Sequence, residues 1–188
     1  MIRLFHLVLC AMVFHVSLGF GQSASQIRRS GIKKMSIQTL RSDSTGKQNF
    51  STQAFDKKGR LVEECERTAG KTHLECTRFS YTRNGELRAE LTYANDSLKS
   101  RIAYEYNSSG RRIAKIKTDN SGKTLGTEKT EWNVWGEKTT ESIFDADAKL
   151  KRKTIYEYNN RNLLVKRIIQ DGSGKIISEK KYEYDYFK

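Results

Sequence analysis

The chain has 188 residues, in which 35 Lys and Arg outnumber 22 Asp and Glu to give a formal net charge of +13. A positive charge of this size favours association with anions such as acidic polysaccharide. The length corresponds to one domain. The sequence has three histidines and three cysteines, of which one histidine and two cysteines remain once the leader described below is removed. A structural zinc site needs four ligands, so these residues do not support one.

The first 21 residues have the layout of a secretory signal peptide. One charge, Arg3, precedes the apolar run 4–20, and small residues close it. We expect cleavage after Gly21, with Ala24 as the alternative, and an exported chain that has no membrane span afterwards. A retained N-terminal anchor is the other possibility, since the run is close to the shortest length that spans a bilayer. We divide the remainder into an N-terminal segment (22–48) that carries the first strand or strands, and a repeat domain (49–188).

Two cysteines remain after removal of the leader, and they flank a turn. If residues 69–72 form a hairpin with a two-residue loop, the antiparallel register places Cys65 directly opposite Cys76. Opposed positions bring the two Cβ atoms within disulfide reach. We therefore predict a cross-strand disulfide that forms outside the cytoplasm, with two free thiols as the alternative.

A turn signature recurs about every 26 residues through the repeat domain. Each copy opens with an aromatic residue, which in the first five copies is followed four positions later by Gly or Asn. These repeat-defining aromatics, called the anchor aromatics below and expected to form the core, are Phe55, Tyr81, Tyr106, Trp132, Tyr158 and Tyr184. A second series of turns, at 119–123, 145–149 and 171–175, lies between them, and 43–47 is its upstream member. Internal repetition of this kind constrains the whole fold.

The segments between the turns predict β-structure. They are rich in Tyr, Phe, Ile, Val and Thr, and turn residues recur every 12 to 14 positions. The sequence has no proline, which agrees with uninterrupted sheet pairing. We predict an all-β fold, a repetitive antiparallel β-hairpin meander of about twelve strands. The sheet could be open and twisted or spiral, or closed into a barrel, and the periodicity alone does not decide.

Two units point to a known family. Residues 55–61, Phe-Asp-Lys-Lys-Gly-Arg-Leu, and residues 106–113, Tyr-Asn-Ser-Ser-Gly-Arg-Arg-Ile, resemble the YD repeat of the RHS family, whose units carry Tyr-Asp-x-x-Gly-Arg-Leu. The resemblance implies β-sheet strips that coil into shells or spirals, in which the repeats themselves are not catalytic. It also implies a short exported repeat protein of a Gram-negative bacterium.

The sequence offers no convincing catalytic, cofactor or metal site. His73 is the only histidine outside the leader, so a Ser-His-Asp triad would have to use it. Glu105, Glu131, Glu157 and Glu183 recur at the same repeat position. A structural column explains this recurrence more simply than an acid/base pair, because such a pair needs unlike environments. We therefore predict a protein that is not an enzyme. A carboxylate-dependent glycan hydrolase, testable through Glu157, is one alternative.

One aromatic residue stands out as a binding candidate. Trp135 falls inside a predicted turn, where no core position is expected. With the basic composition, it suggests a binding or scaffold module at the cell envelope, in the periplasm or outside the cell. The expected partner is an anionic polysaccharide or an envelope protein. Specific nucleic-acid recognition is not expected, because the basic residues are dispersed. An outer-membrane β-barrel is the second alternative.

Overall fold

The computed structural model describes residues 23–40, 48–67 and 74–187. The predicted signal peptide, Cys10, the turn at 43–47, the turn between the two cysteines and His73 lie outside these ranges. The described elements are α1 (Ala24–Arg29), β1 (Lys34–Leu40), β2 (Gln48–Phe55), β3 (Leu61–Arg67), β4 (Glu75–Tyr81), β5 (Leu87–Ala94), β6 (Ser97–Tyr106), β7 (Arg112–Asp119), β8 (Thr124–Trp132), β9 (Lys138–Asp145), β10 (Leu150–Tyr158), β11 (Leu164–Asp171) and β12 (Ile176–Lys181). Within these residues no helix has the length and apolar character needed to cross a membrane.

The twelve strands form one antiparallel sheet whose spatial order is the chain order, β1 to β12. The prediction of an all-β hairpin meander of about twelve strands is confirmed. Strands β1 and β12 are the two edge strands, so the sheet is open and not closed into a barrel over the described residues. Short turns produce this order because a chain that reverses within a few residues must pair with the strand it has just left.

Each 26-residue unit supplies two strands and two turns, so the two turn series lie along opposite rims of the sheet. The anchor rim, which follows the anchor aromatics, consists of the turns 56–60, 82–86, 107–111, 133–137 and 159–163. The opposite rim consists of the described turns 95–96, 119–123, 145–149 and 171–175. A side chain on one rim is therefore separated from the other rim by the full length of a strand.

Most turns share one hydrogen-bonding scheme, which Asn107 illustrates. Its side-chain oxygen accepts bonds from the backbone N–H groups of Ser109 (3.0 Å) and Arg111 (2.9 Å). Gly110 then takes a positive φ of 72°, a left-handed conformation that costs glycine little. Ala148 and Asn162 adopt the same conformation, each with a φ of 58°, where other turns have glycine. Sequence chemistry local to each turn thus defines the strand boundaries.

The sheet is a single layer with little enclosed core. The buried side chains among the described residues are Ile27, Cys65, Ala89, Ala114, Thr130, Thr154 and Ile168. The anchor aromatics were expected to form a packed core, and this expectation needs correction. The first five are half-buried, and Tyr184 is 41% exposed. No second layer covers either face of the described sheet, so neither face can be fully enclosed.

Helix α1 was not predicted. Its start carries a capping box, in which Ser23 Oγ accepts a bond from the backbone N–H of Gln26 and the Gln26 side chain accepts one from the backbone N–H of Ser23. The Ser-x-x-Gln pattern at 23–26 is the sequence signal for this cap. Gly31, with a φ of 64°, ends the helical turn. Six residues are too few to show a helical period of apolar residues, so the hydrophobic pattern did not predict this helix.

Candidate binding surface on the anchor rim

The anchor aromatics do more than fill space, because their polar ends bond to the backbone. Each of them except Phe55, which has no polar group, donates to the carbonyl of a residue that begins a strand, 19 or 20 positions upstream. These anchor hydrogen bonds join Tyr81 to Leu61 (2.7 Å), Tyr106 to Leu87 (2.8 Å), Trp132 Nε1 to Arg112 (2.9 Å), Tyr158 to Lys138 (2.8 Å) and Tyr184 to Leu164 (2.7 Å). Tyrosine and tryptophan can both serve because each combines an apolar ring with one donor.

The anchor hydrogen bonds occur where regular pairing stops. Between β9 and β10 the last paired residues toward the anchor rim are Thr140 and Ile155. The chain continues to Lys138 on one strand and Tyr158 on the other, and the Tyr158 hydroxyl bridges the gap. Neighbouring hairpins, which are joined by turns only on the opposite rim, are thereby tied together on the anchor rim as well. The turns of this rim form a row spaced by about 10 Å, two strand separations.

Cations lie over several aromatic rings at this rim. The Arg60 guanidinium is 4.4 Å from the centre of the Tyr81 ring, and Arg161 is 4.2 Å from that of Tyr186. Cation–π contacts at exposed positions stabilise by about 0.5–1 kcal/mol. Burial raises the pKa of Tyr81, and Arg60 opposes part of that rise. The rim therefore combines positive charge with aromatic surface.

The two rims differ in charge. In the turns of the anchor rim the basic residues are Lys57, Lys58, Arg60, Arg83, Arg111 and Arg161, and the acidic residues are Asp56, Glu86 and Glu137. In the described turns of the opposite rim the basic residues are Lys123, Lys149 and Lys175, and the acidic residues are Asp96, Asp119, Asp145, Asp147 and Asp171. Among the turns that the structure describes, positive charge is thus in excess only on the anchor rim, and the dispersed pattern along the sequence did not predict this difference.

Two of the three acids on the anchor rim are engaged locally. Asp56 accepts bonds from the backbone N–H groups of Lys58 and Arg60 and pairs with the Arg60 guanidinium at 2.7 Å. Burial by itself would raise the pKa of Asp56, but these hydrogen bonds and the Arg60 charge outweigh it and lower the pKa. Glu86 accepts the hydroxyl hydrogen bond of Thr82, which lowers its pKa. Both carboxylates therefore stay ionised, and the six basic and three acidic residues leave the described anchor-rim turns with a formal charge of +3.

Trp135 is an exposed aromatic residue inside a turn of the anchor rim. Its turn is held by Asn133, whose side-chain oxygen accepts the backbone N–H of Trp135 at 3.0 Å. The Trp135 side chain is 68% exposed and its neighbour Val134 is 87% exposed. The Arg111 guanidinium, from the preceding turn, crosses Gly136 so closely that a Cβ there would lie 2.1 Å from Nη2. The structure thus places a cation against Gly136, the residue that follows the exposed Trp135 in the chain.

Three successive turns of the rim therefore present Arg111, Trp135 and Arg161 in that order. Sequence reasoning selected Trp135 and missed the two arginines. Their positions in the repeat could have indicated them, because each arginine lies in a turn adjacent to the turn that contains Trp135. Whether Trp135 contacts a ligand stays a prediction.

Several other residues that the sequence analysis selected take part in a disulfide, an ion pair or a hydrogen bond within the sheet. Cys65 and Cys76 are directly paired across β3 and β4 and form a disulfide, as predicted. Glu157 pairs with Lys166 at 3.8 Å, and Glu131 accepts the hydroxyl hydrogen bond of Thr140 at 2.6 Å. Within the described ranges, no group of three His, Cys, Asp or Glu side chains is arranged to hold a metal ion.

The fold and rim define a class, the single-sheet β-hairpin repeat proteins. The chain belongs to the family described as "Uncharacterised protein", whose model matches residues 93–188. No curated protein sequence matches it.

Among solved structures the chain is similar to a porin-like protein from Bacteroides uniformis, with 16% identity, 74% of this chain and 56% of that one covered, and a TM-score of 0.42. A protein of unknown function from Bacteroides fragilis has 13% identity, coverage of 81% and 96%, and a TM-score of 0.24. A chain of TcdB2-TccC3-Cdc42 has 13% identity, coverage of 81% and 11%, and a TM-score of 0.31. This chain therefore spans just over half the length of the porin-like protein.

Proposed function

We propose that the protein is an exported, non-enzymatic binding module that holds an anionic polysaccharide of the cell envelope along its anchor rim. The observation that carries the proposal is the row formed by Arg111, the exposed Trp135 and Arg161 on three adjacent turns. An aromatic face can stack on a sugar ring while flanking cations pair with carboxylate, sulfate or phosphate groups.

The geometry of the rim suits a linear polymer better than a small molecule. The turns repeat at about 10 Å and are fixed by the anchor hydrogen bonds, for example that of Tyr158 to Lys138. A rigid row of binding groups loses little conformational freedom when a polymer binds, which favours affinity. Several weak contacts along one chain also add through their effective concentration. The resemblance to YD repeats, as non-catalytic sheet strips, agrees with this role and is part of the proposal.

The test compares dextran sulfate with uncharged dextran as immobilised probes for the purified protein. We expect binding to dextran sulfate only, and release in 1 M salt, where the screening length falls from about 10 Å at 0.1 M to about 3 Å. Trp135→Ala should weaken binding about tenfold and leave thermal stability unchanged, because the indole is 68% exposed. Leu125→Ala is the matched control, since Leu125 is an exposed apolar residue near the opposite rim.

A second pair of variants tests which rim binds. Replacing Arg111 and Arg161 with Gln should weaken binding more than replacing Lys123 and Lys149 with Gln, although both double variants remove two positive charges. Equal losses would mean that net charge rather than the rim determines binding, and the proposal would fail. Fractionation of the native host adds the location: release from the envelope by salt is expected, whereas release only by detergent would contradict a soluble module.

A further inference from the structure

A cleft of about 530 Å³ lies between helix α1 and the first repeat unit, at the end of the anchor rim. Its size is within the range of small-ligand sites. The residues that matter for its chemistry are Ile27, Ile32 and Phe55, which are apolar, and Arg28, Lys33 and Lys57, which are basic. The row of Arg111, Trp135 and Arg161 that carries the polysaccharide proposal includes no residue of this cleft, although Lys57 also belongs to the first turn of the anchor rim.

The cleft exists because the first unit differs from the others. Its anchor aromatic, Phe55, has no polar group and so cannot make the hydrogen bond to an upstream carbonyl that Tyr81 and its successors make. No earlier hairpin turn precedes this unit on the described rim, and helix α1 occupies that place instead. The Phe55 ring is thus left at the wall of a cleft rather than tied across a neighbouring strand.

The walls of the cleft are fixed by close backbone contacts. The backbone N–H of Phe55 donates to the carbonyl of Lys33 at 2.9 Å, and that of Ile32 donates to the carbonyl of Ile27 at 3.2 Å. Helix α1 also lies directly against the first turn, since a Cβ on Gly59 would be only 2.3 Å from the carbonyl oxygen of Ala24. The space is therefore part of the folded structure and not a gap between independent segments.

The charges around the cleft favour an anion. Arg28, Lys33 and Lys57 are exposed at its lining. The one lining carboxylate, Asp56, already pairs with Arg60 at 2.7 Å. Positive charge next to an apolar floor suits a molecule with an apolar tail and a charged head, because the tail gains by leaving water while the head stays hydrated beside the cations.

We propose that this cleft binds a single alkyl or acyl chain that carries an anionic headgroup. The tail lies against Ile27, Ile32 and Phe55, and the headgroup pairs with Arg28, Lys33 and Lys57. The site gives the protein a lipid-type ligand at the first unit, separate from the binding surface centred on Trp135.

The test uses dodecyl phosphate below its micelle concentration, with inorganic phosphate and dodecyl maltoside as probes that carry only the head charge or only the tail. NMR of the isotope-labelled full-length protein reports where each binds. We expect shifts of the backbone amides of Ile27, Gly31 and Lys33 with dodecyl phosphate alone, and no shift of the Trp135 indole. Equal shifts with dodecyl maltoside would reduce the site to an unselective apolar cleft and overturn the proposal, as would shifts spread over both faces of the sheet.

Charge reversal at the cleft gives an independent readout. Arg28→Glu should weaken dodecyl phosphate binding by about tenfold, because a charge-assisted contact becomes a repulsion. Arg83→Glu is the matched control, because Arg83 is a basic residue of the next turn that does not line the cleft. Identical weakening by Arg83→Glu would contradict the site. Dextran sulfate binding should survive in the cleft variant, so failure of this proposal is distinguishable from failure of the rim proposal.

Discussion

Replacing Tyr158 with Phe removes one anchor hydrogen bond and almost nothing else. The ring stays half-buried, while the carbonyl of Lys138 loses the donor that lies 2.8 Å away. A hydrogen bond of this kind contributes about 0.5–1.5 kcal/mol net. We expect a loss of about 1 kcal/mol in the free energy of unfolding, which lowers Tm by about 2–4 °C for a chain of this size.

The control lies in the same strand. Tyr156 is also half-buried, but its ring lies under the Lys138 ammonium at 5.9 Å and its hydroxyl is not an anchor donor. Tyr156→Phe should therefore change stability by less than about 0.5 kcal/mol. Urea unfolding followed by circular dichroism measures both variants, with the m-value showing whether the denatured state has changed.

Adding Tyr106→Phe to Tyr158→Phe extends the test. The two residues end strands β6 and β10, four strands apart, so their effects should add within about 0.5 kcal/mol. If Tyr158→Phe and Tyr156→Phe had the same effect, or if the Tyr158 variant were as stable as the unmodified protein, the anchor hydrogen bonds would not hold the rim together. The structural basis for a rigid binding row would then be lost.

Three further results are expected. Gly59→Ala should destabilise more than Gly122→Ala in thermal melts, because both glycines have positive φ but only Gly59 lies against helix α1. Reduction of the Cys65–Cys76 disulfide should lower the free energy of unfolding by about 2–3 kcal/mol, measured with and without reductant. The free energy of unfolding should fall above about pH 10, because burial raises the pKa of several tyrosines in the folded protein. Their contribution to stability is complete below the tyrosine pKa of the unfolded chain and is lost as the pH rises and they ionise. A free energy of unfolding that stays constant up to about pH 12 would contradict this.

The sequence by itself determined the strands, their order and the disulfide register. A turn such as 107–111 depends on residues at most four positions apart, so its chemistry is visible in the chain. The pairing of Cys65 with Cys76 followed from counting outward from one turn. Short-range rules of this kind apply in each unit because the anchor aromatics are spaced by 25 or 26 residues throughout.

Only the tertiary structure decided that the sheet is open and that the first five anchor aromatics are half-buried. It also decided that the polar ends of the five anchor aromatics after Phe55 reach carbonyls about 20 residues upstream. It also placed Arg111 against Gly136 and helix α1 against Gly59. These contacts join different units, and they depend on where the ladder shifts register and on how neighbouring turns align. The sequence pattern is the same whether or not a second layer covers the sheet, which is why it predicted a core that a single layer cannot form.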